Sequence, residues 1–311
     1  MINFRFHIVS LIAIFLALAL GVVIGAGVID RGVVDALDSR LNRVEATSDR
    51  IKGDNNRLSG ENDQLQGVIG DLQPFAVSGR LVGDEVGVVA VRGVDGDRTN
   101  AVITAAQQAD ATATGTLWLE GKWALASADD VKALQTALSS TTKNKSALRA
   151  EGMRQLAERL RSPVVEGAAS NDLLTVLQDA GFLGFDGVKG SAITDFPGRG
   201  AGIVLVVGTE GAVPSDMVVV PMATGLRAAE VPTVVADVWV DSTNGPDRGA
   251  AVQPLRDSEL TTAVSSVDDL DQPEGATTVV LAMSDLFRTP PVVGKYGYGP
   301  DTQPLPDPVK A

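Results

Sequence analysis

Residues 33–72 read VVDALDSRLNRVEATSDRIKGDNNRLSGENDQLQGVIGDL, with aliphatic residues recurring at the spacing of a heptad repeat. Counted from Val34 as position a, the d position is aliphatic in all six heptads. A d series without a polar interruption predicts a parallel, dimeric coiled coil over residues 33–73. The seam residues that we expect to contact a second copy are Val34, Leu37, Leu41, Val44, Ile51, Asn55, Leu58, Asn62, Leu65, Ile69 and Leu72.

Two of the a positions in this seam carry asparagine, at Asn55 and Asn62. A buried amide in a coiled coil satisfies its hydrogen bonds by pairing with its counterpart across the axis, so these positions favour two strands in one register. The alternative is an amphipathic helix that packs on the chain's own globular part. Pro74 predicts the end of this helix, because proline lacks the backbone N–H that a continuing helix needs.

The segment immediately before the heptads is apolar. Residues 8–29 contain no charged side chain, and about 20 such residues at about 1.5 Å each cross a hydrocarbon layer of about 30 Å. We therefore expect a membrane anchor helix over residues 1–30, with a cleaved signal peptide as the alternative. Gly21 and Gly25 lie four residues apart on one face of this helix, where small residues let two helices approach closely, so we count both among the oligomerisation residues.

The few residues before the anchor are too short to form a domain, whereas the remainder of the chain is long. This arrangement favours a single-pass protein of the cell membrane whose C-terminal domain is extracytoplasmic. Six heptads at about 1.5 Å per residue would hold that domain about 60 Å from the membrane.

Beyond Pro74, short apolar runs alternate with segments of helical spacing. The runs EVGVVAVRG, TGTLWLEG, GIVLVVG and VPTVVADVWV predict buried strands. Helices are expected in DRTNAVITAAQQADA and at about residues 129–138, 145–160, 170–180 and 221–229. This alternation predicts an α/β domain over residues 80–297 with a mostly parallel sheet.

The sequence pattern leaves the number of lobes in the α/β domain open. One sheet and two lobes are both compatible with the pattern, and the glycine-rich stretch near residues 186–202 is the candidate boundary between lobes. A last pair of segments, TAVSSVDDL and ATTVVLAMSDLF, closes the fold. The tail over residues 298–311 is rich in proline, so we expect it to be extended.

The composition narrows the classes of function. The chain has 311 residues and a net charge of −13, which disfavours nucleic acid as a partner because the surface repels phosphates. There is no cysteine, and His7 at the apolar segment is the one histidine of the sequence, so a Ser–His or Cys–His catalytic pair in the soluble part is excluded. Copper ligands would have to come from carboxylates and methionines, and methionines more often fill gaps in a core.

Other signals of chemistry are weak. Gly198, Gly200 and Gly202 precede a strand, which is the wrong context for a dinucleotide loop. The acidic pairs, Asp129 with Asp130 and Asp268 with Asp269, are better explained by helix capping or solvation than by a catalytic or cation-binding role. We therefore predict no enzyme, no catalytic residue and no bound cofactor.

Three stretches together carry a resemblance to a known family. They are INFRFHIVSLIAIFLALALGVVIGAG with the heptads behind it, SSVDDLDQPEGATTVVLAMSDL and GKYGYGP. Together they resemble the actinobacterial MctB family, whose members are usually called copper transporters. The resemblance spans nearly the whole chain and implies an envelope protein linked to copper transport or homeostasis, with copper as the ion.

SteB-like members of the same family imply a second hypothesis. In it the chain is a dimeric coiled-coil scaffold that binds an envelope protein and regulates peptidoglycan hydrolases in cell separation. The resemblance implies no ligand set for copper on particular residues of this sequence.

Overall fold

The structure, a computed structural model, describes residues 4–161, 171–198, 200–242 and 245–307, with the side chains of residues 26–34 and 189 outside the description. It divides into two compact units, Met1–Leu65 and Gln66–Ala311. Residues 1–3 of the predicted anchor and 308–311 of the predicted tail lie outside the described residues.

Helix α1, Phe4–Val77, is 74 residues long and contains both the apolar segment and the heptads. Its part Phe4–Gly25 has a mean hydropathy of 2.9 and is long and apolar enough to cross a membrane. The expectation that the helix ends at Pro74 is wrong, since α1 continues to Val77. A proline this close to the end removes one backbone hydrogen bond and leaves few further turns to disrupt.

Among its described residues, the second unit forms a sheet of seven strands. They are β1 Glu85–Val91, β2 Thr112–Leu119, β3 Leu183–Gly187, β4 Gly202–Gly208, β5 Thr233–Val238, β6 Ser265–Val267 and β7 Lys295–Tyr296. Their order across the sheet is β3-β2-β1-β4-β5-β6-β7, and each pair is parallel except β2 with β3. The mostly parallel sheet is confirmed. The stretch 186–202 connects β3 and β4, which belong to the same sheet.

Seven further α-helices, together with short 3-10 helices, are described in the second unit. The α-helices are α2 Gly96–Gln108, α3 Ala128–Ala137, α4 Lys145–Arg161, α5 Leu173–Asp179, α6 Ser215–Ala228, α7 Gln253–Arg256 and α8 Gly275–Leu286. Helix α6 begins six residues before the predicted start at Pro221, because Pro214 is the proline at its N-terminus and Pro221 lies inside it. Of the closing pair of segments, the first forms β6 and the second forms α8.

The central strands are buried along their length. Every residue of β5 and all but the first of β1 are buried. Since successive side chains point to opposite faces, both faces of the sheet must be covered. Helix α2 packs against α8, and α4 packs against α6. The carboxyl ends of the parallel strands share one edge, which is where open α/β sheets place their functional groups.

Candidate functional site

The predicted seam residues of α1 are exposed wherever their side chains are described. Leu41 and Val44 expose 60% and 67% of their area. Leu37, Ile51, Leu58, Leu65, Ile69, Leu72, Asn55 and Asn62 are exposed as well. The side chain of Val34 lies outside the described residues. Exposed aliphatic area costs roughly 25 cal/mol per Å² in water, so this stripe is a candidate binding surface.

Gly21 and Gly25 lie within the apolar part of α1. A Cβ atom added at either glycine would meet no other atom within 4 Å. The backbone is therefore open on this face, as the close approach of another apolar helix requires.

A second candidate site lies where β5 and β6 end. Asp237 lies in β5, while Asp268 and Asp269 directly follow β6. Adjacent parallel strands bring these three carboxyl groups to one edge of the sheet, and their residues are 0%, 0% and 1% exposed. We call the group of ionisable side chains at this position the carboxyl-edge cluster, which consists of Asp237, Arg248, Arg256, Asp268, Asp269, Asp271, Glu274 and Tyr298.

Asp268 is the hub of this cluster. Arg256 Nη1 donates to Asp268 Oδ2 at 2.6 Å, and the backbone N–H groups of Tyr298 and Gly299 donate to Oδ1 at 2.7 and 3.1 Å. Arg256 Nε donates in turn to the hydroxyl of Ser266 at 3.0 Å. A buried ion pair is tolerated only where further hydrogen bonds satisfy both partners, and here they do.

The loop that binds Asp268 needs glycine. Gly297 has φ +116°, and a Cβ at this position would collide with the Asp268 carboxylate. A side chain would therefore push the loop off the aspartate. Two of the stretches that carry the family resemblance, SSVDDLDQPEG and GKYGYGP, are thus bonded to each other.

Arg248 links the cluster to the loop after β5 and to the C-terminal segment. Its Nη1 and Nη2 donate to the two carboxylate oxygens of Asp271 at 2.6 and 2.8 Å, the bidentate geometry that gives the strongest such pairs. The guanidinium carbon lies 4.5 Å from the ring centroid of Trp239 and 6.0 Å from that of Tyr298. The Tyr298 hydroxyl donates to Glu274. One arginine therefore holds three segments together.

Asp237 and Asp269 are less well satisfied. Oδ1 of each is buried without a hydrogen-bond partner among the described residues. Their Oδ2 atoms accept single bonds, from the Ala251 N–H at 3.3 Å and from the Thr278 hydroxyl at 3.3 Å. A buried acceptor without a donor costs free energy, and a proton on the carboxyl removes most of that cost.

The electrostatics of both groups favour that proton. The pKa of Asp237 is raised to about 7, chiefly by burial and also by the nearby carboxylates of Asp268 and Asp271, while the Ala251 N–H bond and the Arg256 guanidinium oppose the rise. Burial likewise raises the pKa of Asp269 to about 7, with Glu274 and Asp268 adding repulsion. The cluster therefore contains two carboxyl groups that exchange protons near neutral pH.

The predicted role in helix capping or solvation is confirmed for Asp130 and is wrong for Asp268 and Asp269. Asp130 forms a capping box with Ser127 at the start of α3, and the Ser127 backbone and hydroxyl hydrogen bonds lower the pKa of Asp130. For Asp268 and Asp269 the expectation of capping or solvation is wrong, because both are buried and Asp268 is paired with Arg256. The missed signal was their position directly behind a buried strand.

The four methionines of the described residues do not present a copper site. Met153, Met222 and Met283 are 0%, 0% and 1% exposed, and Met217 packs against the same core. Their predicted role as core residues is confirmed. In the described part of the chain, no three His, Cys, Asp or Glu side chains are grouped closely enough to hold a metal ion. The described residues therefore do not present the thiolate and thioether ligands that copper(I) prefers in an arrangement that could bind it.

The reversal of strand order between β1 and β4 is the position at which open sheets bind nucleotides. Here the Ala212 N–H donates to the Arg92 carbonyl at 2.6 Å, which closes the two loops on each other. The Asp95 carboxylate accepts the Asp97 N–H at 2.9 Å at the start of α2, and so it occupies a backbone donor that a phosphate would use. A carboxylate in this position disfavours an anionic ligand at the start of α2.

Fold and site together define a mostly parallel α/β domain that follows a helix able to cross a membrane. The chain belongs to the MctB family, because the family described as "Copper transport outer membrane protein, MctB" matches residues 1–306. Relatives named "Copper transporter MctB" from Mycobacterium bovis and Mycobacterium tuberculosis are 28% identical over 314 residues, which covers 96% of this chain and 97% of each relative. The resemblance seen in the sequence is confirmed.

Proposed function

We propose that this protein is a membrane-anchored, parallel dimer of the cell envelope that takes part in copper transport or homeostasis, with its α/β domain on the extracytoplasmic side. The observation that carries the proposal is the family match over residues 1–306, together with relatives named copper transporters. The helix Phe4–Gly25 supports the anchor.

The exposed heptad seam supports the dimer. Its leucines and valines are arranged for knobs-into-holes packing, and once buried in the seam Asn55 and Asn62 would pair their amides with the same residues of the second helix. Burying the stripe in a coiled coil would recover the hydrophobic free energy that it loses in water.

The donor chemistry gives the chain a structural part in copper transport. Copper(I) prefers thiolate and thioether ligands, and the sequence has no cysteine while Met153, Met222 and Met283 are core residues. We therefore propose that a partner of this chain coordinates copper. This chain would provide the membrane anchor, the dimer and the surface on which that partner docks. It assigns no catalysis. The alternative role as a regulator of peptidoglycan hydrolases is not supported by the comparisons.

A deletion strain tests the role in copper transport. We expect the deletion to change cell-associated copper and growth on graded copper, and the wild-type gene to restore both. Ile51→Asp, which places a charge in the seam, should fail to restore them, while Ala46→Asp on the outer face of the same helix should succeed. The same measurements with zinc are the control for effects that are not specific to copper. Unchanged copper content in the deletion strain, or equal effects on zinc and copper, would refute the proposal.

Cysteine crosslinking tests the dimer separately. Because the chain has no cysteine, Leu58→Cys reports on the d position and Ala46→Cys on the opposite face. Rapid disulfide formation in membranes at Leu58 and not at Ala46 is expected for a parallel dimer. Equal rates at the two positions would contradict it.

Two further measurements test the remaining parts. A membrane-impermeant maleimide should label Thr141→Cys, an exposed position of the α/β domain, in intact cells if the domain is extracytoplasmic. Copper titration of the full chain in lipid nanodiscs should show no stoichiometric tight binding. Tight binding would move copper coordination onto this chain.

A further inference from the structure

The carboxyl-edge cluster contacts the segment that contains β7, the edge strand of the sheet. Strand β7 contains two residues, Lys295–Tyr296, and pairs with β6. Beyond it, the chain turns so that the Gly297 N–H donates to the Gln303 carbonyl and the Gln303 N–H to the Lys295 carbonyl, each at 2.9 Å. Pairing with β6 contributes backbone bonds from the Asp268 N–H to the Tyr296 carbonyl at 3.1 Å and from the Ser266 N–H to the Gly294 carbonyl at 3.0 Å. Because so short a strand contributes little on its own, the attachment of residues 297–299 beyond it rests mainly on the cluster.

The cluster makes that attachment through a small number of bonds. The Tyr298 and Gly299 N–H groups donate to Asp268, Arg256 Nη2 donates to the Tyr296 carbonyl at 3.3 Å, and Tyr298 lies beside Arg248. Each of these contacts passes through Asp268 or through an arginine that pairs with the cluster's carboxylates. The charge state of the cluster therefore controls the attachment.

The charges of the cluster are unequal. Five carboxylates, those of Asp237, Asp268, Asp269, Asp271 and Glu274, face two guanidinium groups. If all five were ionised, the excess of negative charge would sit in a site where Asp237 and Asp269 have buried oxygen atoms without donors. Desolvated charge of this kind is costly, and opening the site to water relieves it.

We propose that the carboxyl-edge cluster is a proton-dependent latch for the C-terminal segment 295–303, closed when Asp237 and Asp269 carry protons and open when both are ionised. Asp237 follows Ala236, which is registered with Val267 on the neighbouring parallel strand, so Asp237 and Asp268 are lateral neighbours. Ionised Asp237 repels the aspartate that binds the Tyr298 and Gly299 N–H groups.

The groups that face the two titrating carboxyls come from every element around them. Asp268 and Asp271 from the segment after β6, and Arg256 from α7, act on Asp237. Glu274, Asp268 and the Thr278 hydroxyl of α8 act on Asp269, and Asp269 also interacts with Arg248 of the loop after β5 and with Tyr298 of the C-terminal segment. The pKa values of about 7 for both aspartates place the transition near neutral pH.

Hydrogen exchange of the full chain in lipid nanodiscs tests the latch. After correction for the intrinsic pH dependence of exchange, we expect the protection of peptides covering residues 295–303 to fall at least about tenfold between about pH 6 and about pH 8. Peptides from β4, in the centre of the same sheet, should keep their protection. Protection of 295–303 that does not change with pH would overturn the proposal.

Isosteric variants assign the effect to the two aspartates. Asp237→Asn and Asp269→Asn remove the titration while keeping the shape, so the double variant should stay protected at about pH 8. Asp247→Asn, at an exposed position of the loop after β5, should behave as wild type. A double variant with the wild-type pH dependence would overturn the proposal.

The latch can also be tested on the wild-type protein, without relying on the folding of a variant. Infrared difference spectra between about pH 6 and about pH 8 should show loss of the C=O band of a buried protonated carboxyl group, with a midpoint that coincides with the loss of protection of residues 295–303. Absence of that band, or a midpoint separate from the exchange transition, would refute the latch.

Discussion

Aliphatic side chains are exposed along α1 in the first unit and buried throughout the sheet of the second. Leu58 exposes 53% of its area, whereas Leu205 in β4 exposes none. The second unit satisfies its apolar residues within its own core. The first unit satisfies them only if another surface covers α1, and the heptad spacing predicts that this surface is a second helix of the same kind.

The two regions also place their polar groups differently. Asn55 and Asn62 in the seam are exposed, so their cost arises only when a second helix buries them. Asp268 and Arg256 in the carboxyl-edge cluster are already buried, and the cost is offset by their bond to each other. Substitutions in the cluster should therefore change folding, and substitutions in the seam should change association.

The largest expected effect lies in the cluster. Arg256→Met removes the partner of the fully buried Asp268 and should lower the free energy of unfolding by about 3–5 kcal/mol. The matched variant Arg154→Met breaks an exposed ion pair with Glu158 and should cost less than about 1 kcal/mol. Thermal unfolding of the full chain in nanodiscs measures both. Similar losses for the two variants would contradict the role of the buried pair.

The next effect concerns association. Ile51→Asp buries a carboxylate beside its counterpart in the seam and should weaken the dimer by about 100-fold or more, since an unpaired buried charge costs about 3 kcal/mol. Ala46→Asp adds the same charge on the outer face and should leave the dimer unchanged. Analytical ultracentrifugation in detergent measures the association. Folding of the α/β domain, followed by circular dichroism, should not change in either variant.

Much of the fold was readable from residue spacing. The run GIVLVVG coincides with β4, because a short apolar run bounded by glycine is typical of a buried strand. The start of α6 does not follow from the sequence, since Pro214 and Pro221 lie close together and either could mark the first turn of a helix. For the site, periodicity found the seam but not the cluster. Asp268 and Arg256 meet only through the order of strands in the sheet, which local spacing does not contain.

The pH dependence of stability gives a smaller effect per unit of pH. The pKa of Asp237 rises from 3.8 to about 7 on folding, so the folded chain binds more protons between these values. Its stabilising contribution is complete below the unfolded pKa and is lost as the pH rises through about 7. The slope is at most about 1.4 kcal/mol per pH unit for this group.

The variant Asp237→Asn isolates this slope. It lacks the titrating group, so the wild-type stability should fall relative to the variant as the pH rises from about 4 to about 7. Asp257→Asn, at an exposed position, should show no such difference. Chemical denaturation at a series of pH values measures the curves. A wild-type curve parallel to that of Asp237→Asn would show that Asp237 keeps its ordinary pKa.

The last comparison makes the same substitution, glycine to alanine, in both regions, and the smallest expected effect is the one in α1. Gly53 lies on the outer face of the heptads, and a Cβ there would meet no atom within 4 Å. Alanine replaces a poor helix former at no steric cost, so Gly53→Ala should stabilise α1 by up to about 1 kcal/mol. Thermal unfolding of the α1 helical signal measures the gain.

The same change should have the opposite sign in the second unit. A Cβ at Gly225 in α6 would lie 2.9 Å from the Ala157 Cβ and 3.1 Å from the Arg154 Cα of α4. Backbone atoms cannot move aside as a flexible side chain can, so Gly225→Ala should separate α4 from α6 and cost about 1–3 kcal/mol. If both variants were destabilising, the outer face of α1 would have to contact another surface. A two-stranded coil has no such contact on its outer face, so the predicted dimer would be contradicted.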